Sequence, residues 1–144
     1  MPATLAAERP DARPVAAAAA LAGYGRVSLE ARVAGASPHQ LVAMLYQRLA
    51  QLLREAEAAL RLGDVGRRLR ATEKALAIVD GLDGTLDEER GGSVATALRQ
   101  VYELLRARLL AGSEAGLAEA RVAVEEIGGA WAGIGAGIGA GAIR

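Results

Sequence analysis

The chain has 144 residues, enough for one domain that buries a core without metal or cross-links. Lysine plus arginine balances aspartate plus glutamate, 17 against 17, which removes any bulk pull toward nucleic acid or an anionic membrane. Cysteine is absent, so disulfide scaffolds, thiol catalysis and thiolate metal sites are excluded.

Phenylalanine is also missing, and alanine and leucine dominate. Both favour helix, so an aliphatic, all-helical, intracellular protein is expected. Residues 1–23 differ from the rest, with Pro2, Pro10 and Pro14 ahead of the run AAAAALAG. Glu8 and Asp11 do not suit the positive start of a secretion signal, so a mobile arm is expected there. No stretch reaches the ~18 apolar residues of a spanning helix, and no membrane insertion is expected.

Ser37-Pro38-His39-Gln40 reads as a helix start. Ser37 can cap the Gln40 amide, Gln40 can return to the Ser37 amide, and Pro38 falls where its missing N–H is harmless. His39 follows in the first turn, where solvent exposure is expected. Leu41, Leu45, Leu49, Leu52, Ala56 and Leu60 then recur at helical spacing until Gly63-Asp64.

Asp64 caps a second predicted helix with a stripe of Val65, Leu69, Thr72, Leu76, Val79 and Leu82, ending in a loop over 81–92. A third is predicted from Ser93, carrying Val94, Leu98, Val101, Leu105 and Leu109 to Gly112. A fourth starts at Ser113 and carries Leu117, Ala120, Val124, Ile127 and Trp131. Short connections make neighbours antiparallel, which predicts an all-α, up-down four-helix bundle preceded by a short N-terminal segment. Leu52, Leu76, Leu105 and Val124 are assigned to its permanent core.

The tail from Gly133 alternates glycine with alanine or isoleucine. It satisfies a dinucleotide fingerprint as a string, but that fingerprint works only between a strand and a helix, so a flexible end is expected. Enzyme readings fail on inventory. One histidine cannot assemble a di-metal bundle, and His39 has no nucleophile elbow to serve. Asp87, Glu88 and Glu89 lack the ligand spacing of a calcium loop. Arg67, Arg68 and Arg70 form a basic cluster without aromatics for base stacking; solvated surface is the plain reading and an acidic protein partner the other. No cofactor, metal or nucleic acid is expected.

What remains is binding through helices. Val42, Met44 and Leu53 flank the first stripe, Ile78 the second, and Leu104 and Leu110 the third. With so much alanine, shallow grooves between helices could accept an amphipathic helix from another chain.

Tyr24, then Ala36-Ser37-Pro38-His39-Gln40-Leu41-Val42-Ala43-Met44-Leu45-Tyr46, resembles the FliS family of flagellin-export chaperones. The resemblance continues through Gly63-Asp64, Lys74-Ala75, Leu86-Asp87-Glu88-Glu89-Arg90-Gly91-Gly92, Leu98 and Tyr102 to Ala130-Trp131, covering residues 24–132. Gln47-Arg48 departs from an acidic residue and glycine frequent there in the family. The resemblance implies a cytoplasmic chaperone without cofactor or hydrolytic activity. Its client would be the C-terminal segment of flagellin, presented to the flagellar export gate. It also implies an N-terminal segment that lies over a hydrophobic groove and moves when the client arrives. The expected client contacts are Tyr24 and Val27 in that segment, Leu41, Val42, Met44 and Leu45 on the first helix, Ile78 on the second and Leu104 on the third. Tyr46, Tyr102 and Trp131 are expected to pack rather than bind. A helical adaptor of flagellar assembly with a different client is the alternative.

Overall fold

Each helix starts on a side chain that satisfies its free backbone N–H groups. In the computed structural model, which describes residues 35–134, they are α1 (Pro38–Leu62), α2 (Val65–Gly84), α3 (Glu88–Ala111) and α4 (Glu114–Gly133). The reciprocal cap of α1 is complete: the Gln40 amide donates to Ser37 Oγ at 3.1 Å, and the Ser37 amide to Gln40 Oε1 at 2.8 Å. Asp64 and Ser113 cap α2 and α4 through the amides of Arg67 and Gly116, each at 3.0 Å.

The predicted loop over 81–92 is largely helical instead. Asp87 caps α3 by accepting from the Arg90 amide at 3.1 Å, six residues ahead of the expected start. Glu88 and Glu89 fill the first turn, where negative charge suits the helix dipole. Gly92, at φ 53° and ψ −128°, then kinks the helix before it resumes, a conformation that glycine adopts at little cost.

Two-residue turns at Gly63-Asp64 and Gly112-Ser113 and a short link at 85–87 fold the helices up and down, as predicted. α1 packs broadly on both α2 and α4, whereas α3 meets α2 and α4 over much less surface. α1 can serve two neighbours because its buried stripe is wide, taking in Leu45, Leu49, Leu52, Leu53 and Ala56. Leu105 and Val124 join the core as expected, and Leu76 packs half-buried at its margin. The interior is not purely aliphatic: Tyr46, Tyr102 and Trp131 are buried in it. Tyr46 and Tyr102 reach across from α1 and α3 to share a hydrogen bond at 2.5 Å between their hydroxyls.

Three residues assigned to core stripes are exposed: Val65, Leu69 and Val94. Small residues explain the difference. The inner face of α2 is Ala71, Ala75, Ile78, Val79 and Leu82. Run back at helical spacing, it falls on Arg67 and Arg68, with Val65 and Leu69 turned off it. On α3 the inner face is Ala95, Tyr102, Leu105 and Leu109, and Val94 lies one residue round the helix.

His39 is not the solvated side chain expected of a first turn. The end of α4 returns to the start of α1, and Trp131 stacks on the imidazole with centroids 4.8 Å apart and planes at 16°. The indole N–H donates to the His39 carbonyl at 3.0 Å, the partner that a buried tryptophan needs.

Gly128 makes that return possible, since a Cβ there would stand 3.0 Å from Tyr46 Cβ. Nothing lies within 4 Å of a Cβ on neighbouring Gly129. Gly129→Ala is therefore expected to stabilise by up to about 1 kcal/mol through helix propensity. Gly128→Ala gains the same propensity but must displace Tyr46, and a net loss of about 1 kcal/mol is expected. Urea titration of both variants checks the opposite signs.

Candidate peptide-binding groove

The ion pairs show which way each face of α3 looks. Arg106 bonds Asp80 at 2.8 Å and Asp83 at 2.7 Å, and Arg99 bonds Asp83 at 3.2 Å, so that face addresses α2. Arg108 pairs with Glu119 at 3.3 Å, so the opposite face addresses α4. Along this second face run Val94, Ala97, Val101 and Leu104, spaced as one helical stripe. Val94 is 54 % and Leu104 48 % exposed, and Val101 is half-buried.

α4 turns a matching strip toward them. Glu119 marks its α3-facing side, while Arg121 and Glu125 face α1, where Arg121 bonds the buried Glu57 at 2.7 Å. Ala118, Glu119, Val122, Ala123 and Glu126, all of α4, line an open concavity of about 400 Å³ on its outer face, with Glu119 and Ala123 toward α3. This concavity and the exposed stripe of α3 flank the seam between the two least closely packed neighbouring helices, and together they form a shallow α3–α4 furrow. Its floor is aliphatic, with Glu119, Glu126 and Arg108 at its edge. Such a furrow suits an amphipathic helix with apolar anchors every three or four residues.

Among the described residues no group of three or more His, Cys, Asp or Glu side chains is placed to hold a metal ion. No helix among them is long and apolar enough to cross a membrane.

Of the residues expected at a groove, Leu104 lies in this furrow. Val42, Leu45 and Ile78 are instead core residues, 5 %, 2 % and 0 % exposed, because α1 uses its whole apolar width against α2 and α4. Leu41 and Met44 pack half-buried against that core at the start of α1. Tyr24 and Val27 lie outside the described residues. The sequence pattern does not mark Val122 or Ala118, and its spacing places Val94 and Val101 in the core, whereas the structure leaves Val94 exposed and Val101 half-buried. The available signal was the large Tyr102: its stripe must point inward, which leaves the stripe of Val94 and Val101 beside it.

The sequence profile described as "Flagellar protein FliS" matches residues 20–137. The chain belongs to the FliS family. It is 40 % identical over 113 residues to the flagellar secretion chaperone FliS of Salmonella typhimurium, covering 78 % of this chain and 82 % of that one. It is 37 % identical over 91 residues to the flagellar secretion chaperone FliSB of Pseudomonas aeruginosa, covering 63 % of this chain and 72 % of the relative. The FliS of Vibrio cholerae is 33 % identical over 85 residues, covering 59 % and 62 %. The family is one of chaperones for flagellar secretion, and in this FliS-family chain the α3–α4 furrow is an open apolar surface along the helices.

Proposed function

We propose that this chain is a cytoplasmic chaperone that binds the C-terminal helical region of flagellin and delivers it to the flagellar export apparatus. The observation that carries the reading is the furrow of Val94, Val101, Leu104 and Val122 in a chain of the FliS family. A flagellin end with amphipathic character would lay its apolar face there, gaining ~25 cal/mol per Å² removed from water. Ordering that end offsets on the order of 2–5 kcal/mol. The balance is a wide contact of moderate affinity, which suits a client that must leave again. Leu41 and Met44 extend the footprint along the start of α1, whereas Val42, Leu45 and Ile78 reach a client only if the bundle opens. Tyr24 and Val27 then compete for the same apolar surface in the free protein and lower the apparent affinity by the fraction of covered molecules.

Calorimetric titration with the C-terminal segment of flagellin tests this directly. Binding with a Kd of about 1 μM, worth ~8 kcal/mol, and a negative heat-capacity change are expected. Absence of binding, with a different flagellar protein co-purifying instead, would replace the flagellin chaperone by an adaptor for that other client.

A further inference from the structure

α2 begins against the electrostatics of its own helix. Arg67, Arg68 and Arg70 occupy its opening turns with the capping Asp64 as the one carboxylate among residues 64–70, so excess positive charge is stacked on the positive end of the dipole. Arg67 finds Glu55 at 3.5 Å. Arg61, Arg68 and Arg70 make no ion pair among the described residues. Arg68 extends over the α3–α4 turn, where a Cβ on Gly112 would lie 3.0 Å from its guanidinium.

Aliphatic side chains gather at the same end of the bundle. Of the seven large hydrophobics that are exposed among the described residues, Leu62, Val65, Leu69 and Leu110 sit there, at 74 %, 58 %, 52 % and 73 %. Helical register puts them on a common seam. Leu110 follows Arg106 by one turn on the face that addresses α2, and Leu69 precedes Asp80 by three turns on the face that addresses α3. The buried face of α2 starts only at Ala71, so residues 65–70 stand beyond the core. Single surface aliphatics need no explanation, but four of them beside unpaired arginines do. Fold stability does not supply one: Arg68 and Arg70 oppose the dipole of α2, Arg61 suits the end of α1 but pairs with no carboxylate among the described residues, and the aliphatics stay wet.

We infer that this end, through Arg61, Arg68, Arg70, Leu62, Leu69 and Leu110, docks an acidic amphipathic segment of a second protein, apart from the α3–α4 furrow. Leucine-like anchors of that segment cover Leu69 and Leu110, and its carboxylates take the arginines in charge-assisted bonds. Arginine presents a planar fork of donors that matches a carboxylate. Among the described residues no aromatic side chain stands at this end to stack a base, and the exposed aliphatics have no use for phosphate, which favours a peptide over nucleic acid.

The test uses the full chain and a fluorescein-labelled helical peptide with leucines at helical spacing flanked by glutamates, beside a matched peptide with lysines. The acidic peptide is expected to bind, to weaken with salt, and to protect amides over 62–70 and near Leu110 in hydrogen exchange. Arg61→Glu/Arg68→Glu/Arg70→Glu is expected to weaken it about ten-fold or more, while the flagellin titration stays unchanged. Glutamate suits the α2 start at Arg68 and Arg70, whereas Arg61 closes α1 and Arg68 is half-buried, so circular dichroism checks that the variant keeps its helicity; Leu69→Ser/Leu110→Ser, at exposed positions, is the second variant, with the same expected loss. Equal binding of both peptides, binding indifferent to both variants, or arginine-dependent displacement by single-stranded RNA overturns the inference. Loss of flagellin binding in the same variants overturns it too, because the patch would then belong to the client surface.

Discussion

Raising the pH above about 10 is expected to unfold this bundle much more steeply than a variant without its two buried phenols. Burial raises the pKa of both Tyr46 and Tyr102; their shared hydrogen bond lowers the Tyr46 value in part and raises that of Tyr102, which lies close to the negative Asp83. The sign follows from linkage. A phenol whose pKa is higher in the folded state contributes its full stability below the unfolded value of about 10 and loses it as the pH climbs beyond. The loss is about 1.4 kcal/mol per pH unit for each phenol that stays protonated in the fold, so roughly 3 kcal/mol per phenol by pH 12. Tyr46→Phe/Tyr102→Phe removes both groups and should shift the alkaline midpoint upward. Near neutral pH the order reverses for single changes. Tyr46→Phe strands the Tyr102 hydroxyl in the core at a cost of about 1–3 kcal/mol, and Tyr102→Phe does the same to Tyr46, whereas the double change leaves no orphan. Circular dichroism against pH and a urea double-mutant cycle read both effects. Coincident alkaline midpoints for the parent chain and the double variant would show that the phenols do not control the transition.

The parts of the fold that local chemistry decides were legible in the sequence. Ser37, Asp64 and Ser113 announce helix starts because each cap involves residues only three apart. The α3 start was hidden by glycine: Gly91-Gly92 reads as a loop, yet Asp87 with Glu88 and Glu89 is enough to begin a turn before Gly92 kinks it. The inner faces were harder. Periodicity marks apolar stripes but does not say which stripe meets a neighbour, and in an alanine-rich chain the closest-packed positions carry the smallest side chains. Ala71 and Ala75 thus outrank Val65 and Leu69, and Ala95 outranks Val94. His39 could not be placed, because its stacking partner Trp131 is ninety-two residues away and depends on the closed bundle. The family was carried by short motifs such as Ser37-Pro38-His39-Gln40-Leu41, which the match over residues 20–137 upholds. The position of the furrow was not, since it depends on how loosely α3 joins α4.

That looseness makes the furrow testable without harming the fold. Leu104 on α3 and Val122 on α4 are both exposed, and neither belongs to the buried core. Leu104→Glu/Val122→Glu replaces both with a good helix former that already occurs beside them at Glu103, Glu119 and Glu126. Exposed substitutions of this kind change stability by about 0.5 kcal/mol or less, so the thermal transition should hardly move. Binding is a different matter. Each change removes an aliphatic contact and asks the client to bury a carboxylate without a partner, which costs about 1.4 kcal/mol or more, roughly ten-fold in affinity per site. The two together are expected to weaken the flagellin segment about a hundred-fold while Arg61→Glu/Arg68→Glu/Arg70→Glu leaves it untouched. Leu45→Ala supplies the contrast: being interior, it should lower stability by about 2–5 kcal/mol, and any loss of binding should track the folded fraction. If Leu104→Glu/Val122→Glu instead binds flagellin as tightly as the parent chain, the client does not use the α3–α4 furrow, and the half-buried Leu41 and Met44 at the start of α1 become its remaining apolar foothold.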